Sequence, residues 1–97
     1  LGSFSSVSIP DEISLLPAYP NPFNPSTHVQ FTIPNDMNVS VNVYDINGRL
    51  IDSIINSNLS RGYYNLEWNA AQFSSGVYFI QLTVESNQEI QKVILMK

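Results

Sequence analysis

A chain of 97 residues with a 43% apolar share, 12% charged residues and a net charge of −4 describes one small globular domain, not a disordered tail. Four Lys and Arg against eight Asp and Glu leave no basic stripe for a phosphate backbone, so nucleic acid is not an expected partner. No cysteine is present, which excludes a disulfide framework and a thiolate metal site and leaves the redox compartment open.

In chain order, Leu1 to Ser8 is Ser-rich and without period, and reads as a linker or scar ahead of a domain spanning residues 9–97. The start at Leu1 without Met and the absence of a signal peptide suggest a piece of a longer, separately exported protein. No apolar run approaches the ~20 residues of a membrane span. Ile13 to Tyr19 is a short apolar run, and Pro17 suits it to an edge strand because proline cannot donate to a ladder. Tyr19 to Pro25 (YPNPFNP) carries alternating prolines that exclude a helix and demand a rigid extended or turning segment.

Strict alternation follows. Val29, Phe31 and Ile33 point one way and His28, Gln30 and Thr32 the other; Val39, Val41 and Val43 then alternate with Ser40, Asn42 and Tyr44. Asn47-Gly48 signals a hairpin. The returning strand, Arg49 to Ile55, is ambiguous in phase, since Leu50 and Ile54 share one face and Ile51 and Ile55 the other; a bulge would resolve it. Asn56 to Gly62 reads as a polar turn. Tyr64, Leu66 and Trp68 face inward next, with Tyr63, Asn65 and Glu67 outward. Asn69 to Ser75 is a loop pinned by Phe73. Tyr78, Ile80, Leu82 and Val84 share a face of the following strand, Ser86 to Gln88 turns the chain, and Ile90 to Met96 is the final strand. No segment holds a 3.6-residue apolar period. About seven short strands at regular spacing predict an all-β, antiparallel, immunoglobulin-like β-sandwich.

Five segments in order carry a resemblance: YPNPFNPST (Tyr19–Thr27), VNVYDINGRLI (Val41–Ile51), GYYNLEWNA (Gly62–Ala70), SSGVYFIQL (Ser74–Leu82) and QKVILMK (Gln91–Lys97). The chain resembles the C-terminal sorting domains of proteins exported by the bacterial type IX secretion system. That resemblance implies a non-catalytic, monomeric address label covalently joined to a larger cargo protein. The label would pass by way of the periplasm to an outer-membrane translocon, and a sortase-like peptidase would then remove it. It implies a secreted or cell-surface location and no cofactor. The residues carried over as sorting-motif candidates are Asn21, Pro22, Asn24, Pro25, Tyr44, Asp45, Gly48, Arg49, Trp68, Ser75, Gly76, Tyr78, Lys92 and Lys97. The immunoglobulin-like domain of flagellar hook-scaffolding proteins is similar in its PNPF and VYD-G-R segments. Its loop ahead of the SGVY-like strand is longer than Asn69 to Ser75.

The motif residues also have local readings. Asp45 is suited to accept bonds from turn amides, Gly48 to take positive φ, and Ser75-Gly76 to permit close backbone approach. Arg49 has two uses open to it, across an aromatic ring or against a carboxylate. The final strand is expected at a sheet edge, where a receptor could add a strand. Removing Val93 to Lys97 is then expected to abolish export.

Chemistry is sparse. His28, the single histidine, falls on an outward position without an evident nucleophile, and no serine sits in a G-x-S-x-G elbow. Asp11, Glu12, Asp36, Asp45 and Asp52 offer hard oxygen ligands but form no calcium loop. Tyr63, Phe79 and Phe23 could serve a sugar-binding platform if exposed and coplanar. Asn38-Val39-Ser40 and Asn58-Leu59-Ser60 fit the glycosylation pattern and read as ordinary turn and strand residues. A structural hook-scaffolding or adhesive module and an accessory carbohydrate-binding sandwich are the alternatives to the sorting role.

Overall fold

A computed structural model describes residues 12–97; the linker expected over 1–8, the start of the domain at 9 and the ligand candidate Asp11 lie outside them. Among the described residues seven strands form two antiparallel sheets. In the first, β1 (Ser14–Leu15), β2 (Ser26–Ile33) and β5 (Gly62–Asn69) stand in the order β1-β2-β5. In the second, β3 (Met37–Tyr44), β4 (Leu50–Leu59), β6 (Gly76–Val84) and β7 (Asn87–Leu95) stand in the order β4-β3-β6-β7. This is the predicted sandwich.

The period of two decides what is buried. Val29, Phe31, Ile33, Val39, Val41, Val43, Ile80, Leu82, Val84, Val93 and Leu95 are all at most 1% exposed and form the layer between the sheets. Tyr64, Leu66 and Trp68 face the same layer, while Tyr63, Asn65 and Glu67 are exposed, as the alternation requires.

The phase conflict in β4 is resolved by two bulges. Val41 opposes Ile55 but Asn42 opposes Ser53, and Val43 opposes Asp52 but Tyr44 opposes Leu50, so Ile54 and Ile51 are the extra residues. With the two bulges Ile51, Ile54 and Ile55 all pack against the core, which no single strict alternation would allow.

Four expectations change in detail. The strand expected over Ile13 to Tyr19 is only Ser14–Leu15, with a separate bridge between Tyr19 and His28. The turn expected over Asn56 to Gly62 shrinks to Ser60 and Arg61, because Asn56 to Leu59 continue to pair with Met37 to Ser40. Their polarity marks a solvated face of an outermost strand, not a loop. The last turn is Glu85-Ser86, since Asn87 already pairs with Val84. Glu85 takes φ 56°, a left-handed conformation disfavoured for a residue with a Cβ. At Asn47-Gly48 only the glycine has positive φ (82°), so the loop is a turn closed by Gly48 N–H donating to Asp45 O at 3.0 Å, followed by a left-handed glycine.

Candidate functional site

The proline segment runs along the gap between the sheets and joins them. On one side Leu16 N–H donates to Gln30 O at 2.9 Å and His28 N–H to Tyr19 O at 3.0 Å, which ties the segment to β2. Past Tyr19 the segment crosses to β7: Phe23 N–H donates to Ile94 O and Met96 N–H to Phe23 O, both at 2.9 Å. The Tyr19-Pro20, Asn21-Pro22 and Asn24-Pro25 peptide bonds are cis, and Thr27 Oγ1–H closes the segment by donating to Pro20 O at 2.7 Å.

Two side-chain amides complete this strap by standing in for peptide groups. Asn21 Nδ2–H donates to Lys92 O at 3.1 Å, and its Oδ1 accepts from Ile94 N–H at 3.0 Å. Gln91 acts reciprocally: its Oε1 accepts from Ala18 N–H and its Nε2–H donates to Leu16 O, both at 2.7 Å. Glu89 Oε1 accepts from Leu15 N–H at 3.0 Å. A carboxamide carries one donor and one acceptor side by side, as a peptide unit does, so it can fill a gap in a ladder where proline supplies no N–H.

The terminal strand is therefore a sheet edge, as expected, but it is covered. The expectation that a receptor could add a strand there is corrected, because Asn21 and Phe23 already occupy the outward main-chain groups of Lys92, Ile94 and Met96. Val93 and Leu95 are fully buried, so removing Val93 to Lys97 would dismantle the sandwich itself and not merely a signal.

Trp68 is the hub of the same end of the molecule. Its ring lies 5.6 Å from that of Phe23, 5.9 Å from Phe73 and 5.7 Å from Tyr78 (centroid distances). Its Nε1–H crosses between the sheets to Asp52 Oδ2 at 2.9 Å. The Tyr78 hydroxyl donates to Ser74 O at 2.6 Å, and Phe73 packs on Tyr78 as the loop's anchor. Ala70 N–H donates to Pro25 O at 2.8 Å. Lys97 reaches back, its N–H to Ser75 Oγ at 3.0 Å and its Nζ to Ala71 O at 2.6 Å.

The turn at Asp45 is self-contained. Asp45 Oδ1 accepts from the amides of Asn47 (2.9 Å) and Arg49 (3.0 Å), and Oδ2 accepts from Arg49 Nε at 2.9 Å. Of the two uses open to Arg49, the carboxylate is the one realised. The Arg49 amide foremost holds the Asp45 carboxyl below its ordinary range; some desolvation opposes it, and the Asn47 amide and the guanidinium reinforce it. Across a groove of about 400 Å³, this turn faces residues 72–78 of the loop and the start of β6.

The motif candidates thus divide. Asn21, Pro25, Trp68, Ser75, Tyr78 and Lys97 meet around the strap and the aromatic hub, with Asp45, Gly48 and Arg49 across the groove. Pro22 and Asn24 are exposed on the strap. Gly76 opens β6 opposite Leu95; a Cβ there would meet nothing within 4 Å, so the expected close approach is absent and its φ of +156° is its distinguishing feature. Tyr44 and Lys92 belong elsewhere, in one cross-strand row on the outer face of the larger sheet with Phe79 between them. Sequence reasoning weighed Asp52 only as an oxygen ligand, not as the partner of Trp68, and missed Glu89 and Gln91. The last two carry a signal in hindsight: they share the inward phase of Val93 and Leu95, where an unpartnered polar side chain would be costly.

No catalytic grouping assembles among the described residues. His28 is exposed, with Nδ1 3.1 Å from Asn65 Oδ1. No three His, Asp or Glu side chains converge among the described residues, and Asp45 and Asp52 serve Arg49 and Trp68. The sugar platform does not form: Phe23 is 2% exposed inside the hub, while Tyr63 and Phe79 lie on different sheets.

Solved structures share the architecture. The chain superposes with a TM-score of 0.70 on part of dimeric latent PorU from Porphyromonas gingivalis, at 22% identity over 90% of this chain and 9% of that one. PorZ of the same organism, a surface component of the type-IX secretion system, matches with a TM-score of 0.55 at 21% identity, over 99% of this chain and 12% of that one. Among curated proteins, an endo-acting ulvan lyase of Formosa agariphila is 33% identical over 79 residues, which are 81% of this chain but 14% of the lyase. The chain thus spans a small fraction of each relative's length. The secretion system C-terminal sorting domain profile matches residues 17–96, from the strap to the end of β7, and the chain belongs to that family, whose members mark secreted or surface-attached proteins.

Proposed function

We propose that this domain is a folded export label for the type IX secretion system, joined through residues 1–8 to a larger cargo and recognised as the assembled unit of residues 9–97. The supporting observation is that the strap, the hub and the terminal strand close into one structure: residues some 70 positions apart along the chain are hydrogen-bonded through Asn21, Gln91 and Glu89. A linear tag needs none of these bonds. An outer-membrane translocon receives the label from the periplasm, and a sortase-like peptidase cuts it from the cargo after passage. The label itself supplies no catalytic group to that step.

The test is export of a periplasm-targeted fluorescent reporter fused to the 97-residue chain. It is run in a host with a working type IX translocon and in a translocon-null strain. Reporter outside the cell in the first strain only supports the reading, and a mass decrease of about the domain's 10.9 kDa supports its removal. A folded fusion retained equally in both strains refutes it.

A further inference from the structure

The outer face of the four-stranded sheet is divided along its length. Toward the Glu85 turn and the β4 terminus its outward positions are Asn38, Ser40, Asn56, Asn58, Thr83 and Gln88. Toward the Asp45 turn they become apolar. One cross-strand row runs Leu50, Tyr44, Phe79, Lys92, with Ile90 beside Gln81 in the next row and Ile46 above them in the turn. Ile46, Leu50 and Ile90 are 70%, 57% and 60% exposed, so none is needed to fill the core. A shallow groove of about 460 Å³ lies among Tyr44, Ile46, Phe79, Gln81 and Ile90, closed at the turn by Gly48 and by Asp45, whose carboxylate is paired with Arg49.

The charge pattern of this face is equally one-sided. In a chain whose acids outnumber its bases eight to four, no outward position of the described strands of this sheet carries a carboxylate, and Lys92 is the charged side chain there. One cation amid apolar side chains does not track a phosphate backbone. It fits an apolar protein surface with an acidic group at its rim, the composition of a recognition interface with an aromatic centre and a polar border.

The sheet edges point the same way. The β7 edge is laced by the strap, and the β4 edge is kinked by two bulges, the devices that keep edges from pairing with foreign strands. On this sheet a partner is left to read the face. We infer that the patch of Tyr44, Ile46, Leu50, Phe79, Ile90 and Lys92 is the docking surface for a protein of the export machinery that presents apolar side chains flanked by a carboxylate. This inference rests on the export reading above.

The test uses the reporter fused to the whole chain, in the translocon-competent host. The triple variant Ile46→Ser, Leu50→Ser, Ile90→Ser changes only exposed side chains and keeps the fold. Its exported reporter falls at least tenfold, while the same number of molecules accumulates folded in the periplasm. Lys92→Glu falls likewise and Lys92→Arg restores export. Tyr63→Ser, on the other sheet, exports normally. A photo-crosslinker at position 46 yields an adduct with a secretion-machinery protein, and one at position 63 does not; this readout needs no destabilising substitution. Export of the folded triple variant at the parent level overturns the surface assignment alone. So does a crosslink at 46 to lipid only, or equal adducts from both positions. Retention of the unmodified fusion overturns the export reading and the assignment with it.

Discussion

Replacing Asn21 with alanine removes one side chain and two bonds, to Lys92 O and from Ile94 N–H. Each net hydrogen bond is worth roughly 0.5–1.5 kcal/mol, a value that already allows for the water that would replace Asn21 at this exposed site. The expected loss is about 2 kcal/mol, out of the roughly 5–15 kcal/mol that holds a domain of this size together. For a domain of 60–100 residues that corresponds to a fall in Tm of about 8–16 °C. Asn21→Asp separates the two bonds, since it keeps an acceptor for Ile94 N–H but sets a carboxylate against the Lys92 carbonyl. Urea unfolding gives the total, and amide exchange at Ile94 locates it. The alanine variant should lose protection at Ile94, and the aspartate variant should retain more of it. A stability change under ~0.5 kcal/mol with Ile94 still protected in Asn21→Ala would mean that Phe23, Glu89 and Gln91 hold the strap and that the Asn21 amide is incidental.

The remaining predictions are simpler. Phe23→Ala empties the space between Trp68 and the terminal strand and should cost about 3–5 kcal/mol, seen as loss of near-ultraviolet circular dichroism from Trp68 at reduced denaturant. Because the Asp45 carboxyl is held below its ordinary value, its stabilising contribution is complete above the unfolded pKa and disappears as pH falls through the lower, folded value. Thermal unfolding of the parent should therefore become more acid-sensitive than that of Asp45→Asn below about pH 4, and parallel curves would refute the assignment. Glu85→Gly relieves the left-handed strain at φ 56° and should raise stability by about 1 kcal/mol in urea unfolding, with no change in the β6–β7 register by nuclear Overhauser contacts.

The layer between the sheets was legible because alternation and burial are the same fact stated twice. Val39, Val41 and Val43 could face only one way, and so could Tyr78, Ile80, Leu82 and Val84. The strap was not legible. YPNPFNP has no period, its partners lie some 70 residues downstream, and its contacts depend on carboxamides imitating backbone, which no propensity records. Phe23 shows the consequence: by composition it could have been a platform ring in solvent, and it is a core residue. The phase conflict in β4 announced a bulge but not that there would be two, because turning Asp52 to Trp68 while Ile51 and Ile54 stay on the core is settled across the sheets, not by the local sequence. The outer-face patch was half visible. Tyr44 and Phe79 were outward by alternation, but only the strand order β4-β3-β6-β7 sets Leu50, Tyr44, Phe79 and Lys92 in one row.

The reciprocal clasp of Asn21 and Gln91 also fixes when the fold can close. The strap is made early on the ribosome and can pair with β2 at once, but its bonds to the second sheet wait until Gln91 to Met96 arrive. A chain halted short of them leaves the prolines undocked, the hub missing Phe23 and one side of the sandwich open. Loop closure over some 70 residues is slow compared with hairpin formation, so β3–β4 and β6–β7 form first and the clasp last. Closure then reports on the domain itself: a chain that bears the clasp holds β7 in place, and one without it has not assembled the two ends of the sandwich.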